Sequence, residues 1–123
     1  MNKYTELSDL EINKRVFVAA KIEHEDTDLH GNKVFYGDGA KWIEFDPCNN
    51  PSDAMPIIIE NKIAIFPMNA LGVKYWCAAS EFKDIGEKEI VWGLESNNQN
   101  PLRAAMELFL MLKDAENENN NKR

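Results

Sequence analysis

One segment, NPLRAAMELFLMLK at residues 100–113, limits what this chain can fold into more than any other. Pro101 suits the first position of a helix, where its missing N–H goes unused. Leu102, Ala105, Met106, Phe109 and Leu112 then recur as one apolar stripe. Ala104, Leu108 and Met111 occupy much of the remaining surface, and only Arg103, Glu107 and Lys113 carry charge. A helix apolar nearly all round has to be buried, or shared between a core and a partner. The rest of the chain must wrap it, or a second copy must cover it.

The preceding segments supply wrapping elements. Residues 8–20 predict a helix: Ser8 followed by Glu11 matches a capping box, and Ile12, Val16, Ala19 and Ala20 share one face. Residues 23–32 (EHEDTDLHGN) hold four acids and two histidines with almost nothing to bury, which reads as an exposed loop. Residues 33–36 and 40–45 predict two strands joined by a turn at Gly37, Asp38 and Gly39. Asn50 caps a second helix that opens with Pro51. Pro56 falls about one and a half turns inside it and is expected to kink or restart it. Asn61 is its expected end. Residues 63–66 and 74–78 read as strands connected by 67–72, with 89–93 as a third strand of that group and 97–100 as a polar loop. After the last helix, DAENENNNKR has no apolar anchor beyond Ala115. It is expected to be a disordered polar tail over 114–123. At 123 residues there is room for one ordinary domain. The expected fold is α+β: a single layered domain over residues 1–113, with a mostly antiparallel sheet of about four to five short strands packed with three helices.

Charge and cysteine usage narrow the function classes. The net charge of −7, from 21 acids against 14 Lys plus Arg, argues against direct binding to nucleic acid or to an anionic membrane. No apolar run is long enough to span a bilayer, and MNKYTELSDL lacks the pattern of a secretory signal. Cys48 and Cys77, with no CxxC and no nearby histidine set, fit reduced cytosolic thiols rather than a disulfide or a zinc site. A cytoplasmic location is expected.

Two short segments repeat a pattern: Asn50-Pro51-Ser52-Asp53-Ala54 and Asn100-Pro101-Leu102-Arg103-Ala104. Asp53 in a first helical turn is favoured by the helix dipole, whereas Arg103 in the same position is disfavoured by about 0.3–1 kcal/mol. Something should compensate. One reading is a carboxylate, with Asp53 or Glu60 as candidates. A second is an anionic ligand held by Arg103 and the helix N–H groups, and a third is plain solvent exposure. Trp42, Trp76 and Trp92 with Tyr36 and Tyr75 can stack a base or sugar, or fill a small core. His24, Asp26, Asp28 and His30 alternate, and a solvated loop explains them better than a weak metal site. Cys48 beside a helix start is placed for a lowered pKa but has no paired histidine. No nucleophile, base and orienting group can be nominated together, so the chain reads as a non-enzyme without cofactor or metal.

Three blocks in order, LSDLEINKRV, DPCNNPSDAMPIIIENKI and NPLRAAMELFLML, resemble the phage NinX-type proteins between residues 4 and 113. The layout is also similar, more loosely, to phage domains described as α/β/α sandwiches. The resemblance implies phage or prophage origin, expression in the cytoplasm of an infected or lysogenic bacterium, a compact α+β fold and no established catalytic residues. If the second and third helices pack with their starts on one side, Asp53, Glu60, Asn61, Asn100 and Arg103 are expected to converge. Such a polar pocket suits a phosphate-bearing small molecule, with Trp76 and Tyr36 as stacking candidates. Two functions follow. The first is a binding protein that sequesters a nucleotide-type host immune signal and so acts against host defence. The second is a protein-interaction module that inhibits or redirects a host or phage enzyme, with the last helix as a surface for homo-oligomers.

Overall fold

A computed structural model describes residues 2–22, 26–30, 33–37 and 40–121. Its centre is the helix α3, Pro101–Asn121. Residues 103–110 are buried without exception, and this requires cover from every side.

The chain itself provides that cover. Helix α1 (Asp9–Ala19) begins where the Ser8 hydroxyl accepts the Glu11 N–H at 3.2 Å, the cap its sequence announced. Helix α2 (Pro51–Glu60) begins where the Asn50 side chain accepts the Ser52 N–H at 3.0 Å. Both pack against α3. Pro56 does not break α2. It and Ser52 both lie on the exposed side, so the carbonyl that loses its helical partner faces water.

The strands form three antiparallel sheets. β1 (Asp26–His30), β2 (Lys33–Gly37) and β3 (Trp42–Phe45) pair in sequence order. Phe17 of α1 meets Tyr36 and Phe45 of this sheet with ring centroids 5.5 and 5.4 Å apart. β4 (Ala64–Ala70), β5 (Val73–Ser80) and β8 (Leu94–Asn98) form the second sheet, in the order β4-β5-β8. β6 (Lys83–Gly86) and β7 (Glu89–Val91) form a separate hairpin inserted between β5 and β8. α3 lies on β5 and β8, where Ala78, Ala104 and Ala105 are fully buried in the common core. Small side chains on both elements let helix and sheet approach closely. The fold is α+β, and the described residues form three helices and eight short strands, where about four to five strands were expected.

Several expectations need correction. The acidic segment is not wholly a loop, because residues 26–30 pair with β2 from Asp26↔Gly37 to His30↔Lys33. Backbone pairing needs no apolar side chain, so hydropathy did not report it. His24, and Asp38 and Gly39 of the predicted turn, lie outside the described residues. The 67–72 connection is a two-residue turn at Leu71 and Gly72, with β4 and β5 running up to it. Pro67 is tolerated inside β4 because that strand is a sheet edge. Residues 89–91 pair with β6, and the third strand of the main sheet is β8, LESNN, whose polar residues disguised it.

The polar tail is also corrected. α3 continues to Asn121, and Asp114 accepts the Tyr4 hydroxyl and pairs with Lys3 at 3.2 Å. A nucleated helix gains one hydrogen bond for each further residue it orders, and these contacts hold its extension to the amino-terminal segment. Because the chain's own elements cover residues 103–110, that part of α3 leaves no bare surface for a second copy.

Leu71 and Gly72 have φ of +53° and +87°, both left-handed, as in a type I′ hairpin turn. Leucine is poorly suited to this conformation, and its side chain is fully exposed. Leu71→Asn is therefore expected to stabilise the fold by about 1 kcal/mol, read as a thermal midpoint a few degrees higher. An unchanged or lower midpoint would show that the turn is not I′.

Candidate functional site

The starts of α2 and α3 are neighbours, which was the condition set for the polar residues to converge. Asn100 accepts the Leu102 N–H at 2.9 Å, capping α3, while its amide donates to the Cys48 carbonyl at 2.7 Å. Asn13 of α1 joins the same junction, donating to Asp46 at 2.8 Å and accepting the Cys48 N–H at 3.2 Å. Asp53 accepts the Asp46 N–H at 2.9 Å. Burial raises its carboxyl above the usual range, against the lowering effect of that N–H.

Arg103 is 6% exposed and fully engaged. Its Nε donates to Glu107 at 2.8 Å and its Nη1 to Asp9 at 2.7 Å. Its Nη2 donates to the carbonyls of Tyr4 at 3.0 Å and Leu7 at 2.6 Å. Burial lowers its pKa, but the hydrogen bonds to Asp9 and Glu107 outweigh this and raise it above the ordinary value. Glu107 has no exposed surface, and it also accepts the Ser96 hydroxyl at 3.2 Å.

The expected convergence therefore fails in a specific way. Arg103 is compensated by carboxylates, but they are Glu107 and Asp9, not Asp53 or Glu60. The amino-terminal segment turns over the start of α3, where its Tyr4 and Leu7 carbonyls accept from Arg103. Glu60 and Asn61 stand at the opposite end of α2, where Asn61 closes the helix by donating to the Ile57 carbonyl at 2.8 Å. They line a small cavity of about 150 Å³ with Lys21 and Lys113, remote in the fold from the α2 and α3 starts. Tyr36 packs with Phe17 and Phe45 and belongs to the core side of the first sheet.

Trp76 alone of the nominated residues lines a sizeable opening. It borders a depression of about 460 Å³ together with Pro67, Asn69, Lys74, Tyr75 and Gln99. The sequence signal for this grouping was slight: Lys74 and Trp76 stand two apart and so share one face of a strand. Gln99 and Asn69 had none.

A second exposed feature is apolar. In the β6–β7 hairpin Ile85, Ile90 and Val91 are 57, 60 and 43% exposed. At its base Trp92 packs against Phe66 and Phe82, with ring centroids 5.5 and 5.9 Å apart.

Neither cysteine is an activated nucleophile. Burial, then the charge of Asp9, pushes the Cys48 thiol far up rather than down. Burial and Glu95 push Cys77 up to about 11. The described residues contain no group of three metal-ligating side chains, and the side chains of Asp26, Asp28 and His30 are outside that description.

The family model described as Bacteriophage P22, NinX matches residues 3–113. The chain belongs to the NinX family. No curated protein and no solved structure matches it. The NinX match spans the Arg103 network, the Trp76 depression and the β6–β7 hairpin alike. Among its described residues no helix is long and apolar enough to cross a membrane.

Arg103→Ala would leave Glu107 buried without its cation and is expected to cost about 3–5 kcal/mol in urea unfolding. Arg103→Met combined with Glu107→Leu should restore much of that loss, since a buried pair can be replaced by apolar groups. A loss below about 1 kcal/mol for Arg103→Ala would mean that the network is not structural.

The thiols make a second prediction. The folded Cys77 pKa lies above its ordinary 9.0, so the unfolded thiol ionises first. Its contribution to stability is full below that value and is lost as pH rises through it toward 11. At pH 8 both native thiols should resist a disulfide reagent and both should react in urea. Rapid reaction of either native thiol would contradict its burial.

Proposed function

We propose that this phage NinX-family protein is a non-enzymatic interaction module that binds a host or phage protein through the apolar β6–β7 hairpin. The observation carrying this reading is the exposure of Ile85, Ile90 and Val91, beside the half-exposed Phe82 and Trp92, on one short hairpin. Scattered apolar residues are ordinary on a protein surface, whereas these crowd one short hairpin, with Ile90 and Val91 on its opposite faces. The hairpin is an insertion in the main sheet and packs little against the core, so folding alone does not account for its composition. An acidic chain of net charge −7 and an apolar contact face fit a protein partner better than nucleic acid.

The sequestration of a nucleotide-type host signal at Arg103 has less support. Four hydrogen bonds already occupy that guanidinium.

The test compares tagged wild-type protein with the Ile85→Asp/Ile90→Asp variant in infected cells, with recovered proteins quantified by mass spectrometry. Both positions are exposed, so the thermal midpoint should move by less than about 3 °C. At least one host or phage protein should drop about tenfold or more in recovery with the variant. Equal recovery of every protein, or loss of self-association alone by light scattering, would overturn the reading.

A further inference from the structure

The β4-β5-β8 sheet has two faces, and strand register sorts its residues between them. Directly opposed residues of antiparallel strands point to the same side. Ile65↔Ala78 and Ala78↔Ser96 put one face toward α3. Along the same face, Pro67↔Trp76 and Asn69↔Lys74 follow in order toward the Leu71–Gly72 turn. Trp76 in turn opposes Asn98, so Gln99 closes the third side of this square as β8 leaves the sheet. The opposite face carries Phe66, Cys77 and Glu95, against which Trp92 at the base of the β6–β7 hairpin rests. Met68 and Tyr75 of that opposite face also border the depression of about 460 Å³, but no residue of the β6–β7 hairpin does.

Its chemistry is unusual for this chain. With a net charge of −7, carboxylates are common on the surface. Yet the lining contains Lys74 and no carboxylate, and among the described residues Lys74 has no ion-pair partner. The Trp76 indole N–H likewise has no acceptor there, and its ring forms an aromatic wall beside Pro67. The two amides are half used. Gln99 donates Nε2–H to the Lys74 carbonyl at 2.9 Å, leaving its Oε1 as an acceptor. Asn69 accepts the Gly72 N–H at 3.0 Å through Oδ1, leaving its Nδ2 as a donor.

We propose that this depression binds a nucleoside monophosphate. Trp76 stacks the base, as aromatic side chains do with any exposed nucleobase. Gln99 Oε1 and Asn69 Nδ2, on opposite flanks of β5, remain for separate polar contacts with the base or sugar. Lys74 receives the phosphate as a point charge. The volume is in the range of small-molecule sites. Binding requires nothing from Arg103 or from the β6–β7 hairpin.

Calorimetric titration of the full chain with adenosine 5′-monophosphate tests this. Binding in the range of about 0.1–1 mM is expected, and about tenfold weaker binding for Trp76→Ala and for Lys74→Ala. Lys74→Arg should retain binding, and adenosine without phosphate should bind as weakly as the wild-type nucleotide does to Lys74→Ala. The Ile85→Asp/Ile90→Asp variant should bind the nucleotide as wild type does, which separates this site from the proposed protein contact. Circular dichroism confirms that each variant is folded. No binding of the nucleotide at about 10 mM, or binding that Trp76→Ala and Lys74→Ala both leave unchanged, overturns the proposal.

Discussion

Arg103 donates at once to Glu107 on its own helix, to Asp9 at the start of α1 and to two carbonyls of the segment before α1. Glu107 is wholly buried and also accepts from Ser96 on β8, whose hydroxyl accepts in turn from Asn2 at 3.1 Å. One charged pair thus fastens the amino-terminal segment, α1 and the main sheet to the central helix. A buried ion pair is not a large net source of stability, because taking both charges out of water offsets most of their attraction. Its effect is on arrangement: any packing that separates Arg103 from Glu107 leaves a charge in an apolar interior. The alternatives are penalised more than the native state is rewarded.

This explains how an apolar helix tolerates two charged residues on its buried length. At positions four apart, Arg103 and Glu107 lie on one face of α3 and pair with each other. Arg103 near the helix start is opposed by the dipole, but two carboxylates and two carbonyls surround it. The helix starts are arranged with similar economy of donors and acceptors. Asn100 caps α3 and holds the Cys48 carbonyl, while Asn13 holds the Cys48 N–H. No buried side-chain nitrogen or oxygen among the described residues lacks a partner.

Against that saturated interior, the outlying strands are chemically open. The turn end of the β4–β5 hairpin and the β6–β7 hairpin expose leucine, valine, isoleucine and tryptophan side chains, and Lys74, which has no ion-pair partner among the described residues. Binding chemistry concentrates where folding makes the fewest demands on residue choice. The helical side of the molecule, where sequence reasoning placed the site, is instead where polar groups are consumed by structure.

What the sequence determined by itself was local. Ser8, Asn50, Asn100, Pro51 and Pro101 marked helix starts because caps and first-turn prolines act through neighbouring backbone atoms. The all-round apolarity of residues 102–112 required a buried central helix, and alternation found β2, β3 and the inner parts of β4 and β5. The polar strands β1 and β8 were not legible, since backbone pairing needs no apolar side chain, and Ser96 of β8 meets the core through its hydrogen bond to Glu107. Nor was the length of α3, which depends on Asp114 meeting Tyr4 across 110 residues of chain. Arg103 announced that something must compensate its charge, but only the tertiary fold decided that Glu107 and Asp9 would do so. Caps and periodicity are properties of a few adjacent residues, whereas the partner of a buried charge is set by which distant segments the core brings together.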